Sequence, residues 1–204
     1  MAAQRAARGR LIAVDGSHGP AVAAAAKRLA RAHRDANGGG GVSLWDSSGI
    51  FTELAAAEPG VAGPSARTFI LLYAADLAFR QRWQIGPAIE AGHTVVAAPY
   101  VESAKALGSA AGLSRRWLKE LFRFASKPDI CYYVKERGGP VNRGTRADYA
   151  ERLWRVLRAG GDPGASEAFR TRTVDYFKSL ERRGRSIHVD ADAVAAPRRA
   201  VARR

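Results

Sequence analysis

The chain has 204 residues and a net charge of +14, with 33 Lys and Arg against 19 Asp and Glu. One α/β domain with a substantial core is expected at this length, and 47% hydrophobic residues with four Trp exclude a disordered chain. The single cysteine, Cys131, excludes an internal disulfide and a cysteine-built zinc site. It lies in an apolar run and is expected as a buried thiol.

No segment approaches the roughly 20 apolar residues needed to cross a bilayer. The opening MAAQRAARGR carries arginines without the apolar stretch of a signal peptide, so no membrane association and a cytoplasmic location are expected. The positive balance favours polyanions. Its cations are spread along the chain, with the densest run in the tail PRRAVARR, and no RRM, KH, zinc-finger or helix-turn-helix pattern accompanies them. A solvated basic surface is therefore the preferred reading, with nucleic acid kept as an alternative partner.

In chain order, residues 1–10 read as a flexible basic tail. Leu11–Val14 is a short apolar strand, Asp15–Gly19 a turn, and Ala21–His33 an alanine-rich helix with Leu29 on its core side. NGGGG (37–41) reads as a flexible link. Val42–Trp45 is a second strand, followed by the turn Asp46–Gly49, a short helix or turn over 50–57, and a break over 59–64. A long helix is expected over about 65–91, with a new short helix opening after Gly86 at Pro87. Its Phe69, Leu72, Tyr73, Asp76, Leu77 and Arg80 recur at steps of three and four and share a face. His93–Ala98 is a third strand and 99–112 a loop with helical parts. Ser114–Ala125 is an amphipathic helix with Ser114 as its N-cap. Ile130–Val134 is a fourth strand, 145–157 a helix, 160–164 a loop, 166–183 a helix and Ser186–Val189 a last strand. Residues 196–204 form a basic tail. Short apolar strands alternating with helices imply a three-layer α/β fold, a parallel sheet with helices on both faces.

The turn after the first strand decides the chemistry. A phosphate-cradling loop has the form GxxxxGKS or GxxxxGKT. Its glycines let backbone amides converge on phosphate, its lysine neutralises the phosphates, and its hydroxyl binds Mg²⁺. Starting at Gly16, Ala21 stands at the second glycine, Val22 at the lysine and Ala23 at the hydroxyl. Gly19 is an extra turn glycine, and Ser17 and His18 complete the loop. The amides of residues 17–22 precede a helix and favour an anion without any side chain, although Pro20 removes one donor. The four His are far apart and lack metal-ligand spacing, and no HExxH, GxSxG or CxxC is present. Neither a catalytic constellation nor a metal site is expected.

The order of these pieces resembles the thymidylate kinase family. DGSHGP after the first strand resembles the family's acidic residue and glycine. FILLYAAD (69–76) resembles its helix carrying an aromatic and then Ala-Ala-Asp-Arg. IGPAIEAG and HTVVAAPY resemble the passage into its Asp-Arg-Tyr strand. FRFASKPD resembles the Pro-Asp before its fourth strand, and SIHVD its closing strand. The resemblance covers most of 11–194, within a domain expected over 11–195. It implies a P-loop NTPase fold with a five-stranded parallel sheet, often a homodimer, and in the family phosphoryl transfer from ATP to dTMP with Mg²⁺.

Carried over residue by residue, the resemblance implies a vestigial nucleotide-phosphate site at Gly16, Ser17, His18, Gly19, Val22 and Ala23. It implies a nucleoside-monophosphate site at Asp46, Tyr73, Asp76, Arg80 and Tyr100, and a lid near Arg137, Arg143 and Arg146. Ala98 and Pro99 replace the Asp and Arg of Asp-Arg-Tyr. Leu77 replaces the arginine after Asp76, and Asp46 reverses an arginine's charge. Tyr73 is placed for a pyrimidine ring, although periodicity alone favours a core aromatic. Arg80 is either a stand-in for the lost arginine or a solvated side chain. The expectation is a degenerate, catalytically inactive homologue that acts by binding. The alternatives are a divergent but active dTMP kinase, which alone would need ATP and Mg²⁺, and a basic nucleic-acid-binding protein.

Overall fold

The computed structural model describes residues 9–17, 19–37, 40–45, 64–135, 163–182 and 187–190. Strand β1 (Arg10–Gly16) is the axis of the molecule, with residues 11–15 all buried. A strand covered on both faces needs an unbroken apolar run, which LIAV supplies. Leu11 and Ala13 enter one core while Ile12 and Val14 enter the other, as the two-residue period of a strand requires.

The remaining strands are β2 (Gly40–Leu44), β3 (Thr94–Ala98), β4 (Ile130–Lys135) and β5 (Ile187–Asp190). All pair in parallel, in the order β2-β3-β1-β4-β5. β3 repeats the pattern of β1, with Val95 and Ala97 on one side and Val96 and Ala98 on the other.

Helix α1 (Gly19–Asn37) covers one face. Its Val22, Ala25, Ala26, Leu29 and Ala30 pack on Ile12, Val14, Val96 and Val134. The alanines let helix and sheet approach closely. The other face carries α2 (Ala66–Arg80), a π-helical turn (Gln81–Ile85), α3 (Gly86–Glu90), α4 (Val101–Ala110) and α5 (Arg115–Leu121). Phe69, Ile70, Tyr73, Leu77, Leu107, Leu118 and Phe122 fill the core beneath them. Burying each large apolar side chain contributes about 1.5–3 kcal/mol. Helix α6 (Pro163–Glu181) adds Phe169 to that core and closes on Tyr133 through Phe177 and Leu180.

Several boundaries differ from the sequence reading. Gly9 and Arg10 are no tail: their amides donate to the carbonyls of Ile89 (3.2 Å) and His93 (3.2 Å). Of the expected flexible link, Asn37 ends α1 and Gly40 and Gly41 pair with Thr94 and Val95, while 38–39 lie outside the described residues. The long helix is interrupted by the π-helical turn, which sits just before Pro87, a residue without the N–H an α ladder needs. Gly92, at φ 85°, then turns the chain into β3. The expected loop over 99–112 is mostly α4. The expected loop end at 160–164 is the first turn of α6, where Pro163 needs no N–H partner. Cys131 is half-buried rather than buried. The expected helix over 145–157, the turn over 46–49, the segment 50–57, residues 1–8 and the tail 196–204 lie outside the described residues.

Candidate functional site

The C-terminal ends of β1 and β3 bring most of the expected residues together. β1 runs through Gly16, whose amide donates to the Ser103 hydroxyl at 3.2 Å. Ser17 is half-buried in the turn, and Gly19 opens α1. Val22, expected from the sequence at the lysine position, is fully buried in the core beneath α1. It lies so close that a Cβ on Gly16 would sit 2.8 Å from its Cγ2. Ala23 is half-buried. His18 and Asp46 lie outside the described residues, as do Arg137, Arg143 and Arg146.

Tyr73, Asp76 and Arg80 come from the buried face of α2 and meet Tyr100 after β3. The Tyr73 hydroxyl donates to the Tyr100 carbonyl at 2.7 Å. Its ring lies 5.6 Å from Trp45 at 30° and 6.1 Å from Phe122 edge-on, so aromatic neighbours already cover it. Burial holds its phenol protonated, well above the ordinary range. Arg80 is not solvated. It is fully buried, pairs with Asp76 through Nε at 2.8 Å, and donates from Nη2 to the Pro99 carbonyl at 3.2 Å. Its Nη1 has no partner among the described residues. The Tyr100 hydroxyl donates to the Ser126 carbonyl at 2.7 Å and accepts from Gln81 Nε2 at 2.5 Å. Burial raises this phenol's pKa as well.

Asp15, read from the sequence as the first residue of the turn and left out of the candidate site, is the last but one residue of β1. Its buried Oδ1 accepts from the amides of Tyr100 (2.7 Å) and Ser103 (3.0 Å). Burial pushes its pKa up to about 6, against the lowering effect of these hydrogen bonds. One signal for it was available: a carboxylate directly after four apolar strand residues must find buried donors. Trp45, Ser103 and the Tyr176 hydroxyl, which donates to Glu102 Oε2 at 2.6 Å, left no comparable signal.

ATP with Mg²⁺ would need a cation and a hydroxyl at the start of α1. Val22 and Ala23 supply neither, so the residues present do not fit that pair. No three His, Cys, Asp or Glu among the described residues are grouped to hold a metal ion. No described helix is long and apolar enough to cross a membrane.

The parallel order β2-β3-β1-β4-β5, with a glycine turn leading from the central strand into a covering helix, is a three-layer α/β fold of the P-loop type. The chain matches the crystal structure of thymidylate kinase from Ehrlichia chaffeensis over 90% of its own length and 87% of that chain, with a TM-score of 0.66 and 13% identity. It is 45% identical over 64 residues to a protein of Thermococcus kodakarensis named probable thymidylate kinase, covering 31% of each chain. A protein of the same name from Staphylothermus marinus is 33% identical over 94 residues, 42% of this chain and 47% of the relative. The matched stretches thus span less than half of these curated relatives. No family model matches. The chain is thymidylate-kinase-like in fold and in these stretches of sequence.

Proposed function

We propose that this chain is a thymidylate kinase homologue whose phosphate loop no longer serves phosphoryl transfer, and that it acts by binding, as a dimeric scaffold or regulator. The observation that carries this reading is Val22, fully buried at the place of the phosphate-neutralising lysine. Phosphoryl transfer relies on positioning and charge neutralisation, and removing one such donor typically costs about 2.7–4 kcal/mol of transition-state stabilisation. The acceptor side supports the same reading. Tyr73, Asp76, Arg80 and Tyr100 bond to one another and to the backbone, as a core does. A coupled assay with ATP and dTMP is expected to show no ADP release above background. Turnover at ordinary kinase rates, abolished by substituting Gly16, would overturn the proposal.

One observation favours the second reading, a divergent active kinase. Arg80 brings a buried cation to the Pro99 carbonyl, where the resemblance places an arginine, and its Nη1 is unpartnered among the described residues. That reading requires saturable Mg-ATP binding. Titration calorimetry showing no heat at millimolar ATP sinks it.

The homodimer is proposed through the outer stripe of α2 and the π-helical turn. Leu71, Phe79 and Trp83 are 47%, 45% and 66% exposed there, and Ala75 lies between them in the same four-residue step. Such spacing places them on one helix face, and apolar side chains concentrated on one exposed face mark an interaction surface.

A further inference from the structure

Among the described residues, cations gather without matching carboxylates on the surface of α5. The segment Arg115–Lys127, α5 and the turn after it, carries five cations and a single carboxylate, Glu120, all exposed. Glu120 meets Arg123 at only 3.6 Å with both side chains largely exposed, a geometry that neutralises little. Helix α6 differs in its balance of charge: Glu167, Asp175 and Glu181 stand there against Arg170, Arg172 and Lys178. The aromatic rings of Trp117 and Phe124 lie in the same segment as the cations, 115–127. Arg67, from the first turn of α2, lies 5.0 Å over the Trp117 ring, which ties α2 to the patch. Phe124 is 46% exposed beside Arg123, with its ring 6.3 Å from Phe122.

We propose that this face binds single-stranded nucleic acid, with Arg115, Arg116, Lys119 and Arg123 on the phosphates and Phe124 as a stacking platform for a base. The inference does not rest on the fate of the phosphate loop, which lies at the sheet's C-terminal edge. Guanidinium and ammonium groups on a convex helix meet successive phosphates, and the released counterions supply affinity. An exposed aromatic between them favours single strands, because a duplex keeps its base faces stacked inside. An acidic protein surface would also meet the charges, and competition by polyglutamate in the test below reads that outcome.

The test is fluorescence anisotropy of the full chain with a labelled oligothymidylate, across a salt series. Four phosphate contacts correspond to a slope of log K against log salt of about −2.8, from about −0.7 per contact on a single strand. The variant Arg115→Glu/Arg116→Glu/Lys119→Glu is expected to bind at least about tenfold more weakly, because three contacts become repulsions. Lys27→Glu/Arg31→Glu, on the exposed side of α1 across the sheet, is expected to lose far less. Phe124→Ala is expected to weaken binding by about fivefold or more at an unchanged salt slope. All these side chains are solvent-facing, and circular dichroism checks that each variant remains folded. Absence of binding by the unsubstituted chain overturns the proposal, as does equal loss in the α1 variant. So does competition by polyglutamate as effective as by unlabelled oligothymidylate, or a Phe124→Ala variant that binds as tightly as the parent.

Discussion

At the scale of single residues, Asp15 and Arg80 are ionisable groups buried among the described residues. The Asp15 carboxyl keeps its proton up to about pH 6 in the folded chain, against an ordinary value of 3.8. Between those values the native state binds more protons than the unfolded chain. Its contribution to stability is therefore complete below pH 3.8 and is lost as pH rises through 6, by up to about 3 kcal/mol. Asp15→Asn keeps an oxygen for the amides of Tyr100 and Ser103 but cannot ionise. Urea unfolding at a series of pH values should show the stability of the parent, relative to Asp15→Asn, falling from pH 4 to pH 7. A constant difference would contradict the assigned burial of the charge. Asp15→Ala removes the acceptor altogether, and leaving a buried donor unsatisfied costs about 1–3 kcal/mol. Arg80 and Asp76 are fully buried as a pair. Arg80→Leu strands the carboxylate and is expected to destabilise by about 3–5 kcal/mol, whereas Arg80→Leu/Asp76→Leu should recover much of that loss. Urea midpoints of the two variants separate these outcomes.

At the scale of elements, what could be read from the sequence depended on how local its cause was. The strands β1 and β3 were legible because LIAV and TVVAA are apolar on both faces, and Ser114 was legible as a cap because it binds its own helix at Trp117. Helix α4 was not. No side chain at its own N-cap residue, Tyr100, bonds to it, and the carboxylate that holds its first turn comes from Asp15, 85 positions earlier. Arg80 failed the same way: Asp76 is one helical turn away, but its burial depends on the chain after β3. At the glycine turn, the missing lysine and hydroxyl could be read directly, while the burial of Val22 required the sheet beneath it. That burial has a consequence for the join of β1 and α1. A methyl group on Gly16 would sit 2.8 Å from Val22 Cγ2 and 3.0 Å from the rigid Val134 carbonyl. Gly16→Ala is expected to destabilise by about 1–3 kcal/mol through overpacking, measured by thermal unfolding. The smaller side chain in Val22→Ala/Gly16→Ala should relieve part of it.

At the scale of the whole molecule, two proposed surfaces answer to the same net charge with opposite sign. Two chains of +14 repel one another, so self-association through Leu71, Phe79 and Trp83 must be driven by apolar burial against an electrostatic opposition. Salt screens that repulsion, with a Debye length near 10 Å at about 0.1 M. Raising salt should therefore tighten the dimer while it weakens binding of a single strand at Arg115, Arg116 and Lys119. Sedimentation equilibrium is expected to give twice the 21.9 kDa chain mass, with an association constant that rises from low to moderate salt. Phe79→Glu/Trp83→Glu places carboxylates on the stripe and should yield the chain mass alone. Both side chains are already solvent-facing, so this variant should keep the parent's unfolding midpoint, extrapolated to low protein concentration. A parent protein that sediments as a monomer at every salt concentration would leave the α2 stripe as plain exposed surface. A dimer that persists in the double variant would move the interface elsewhere.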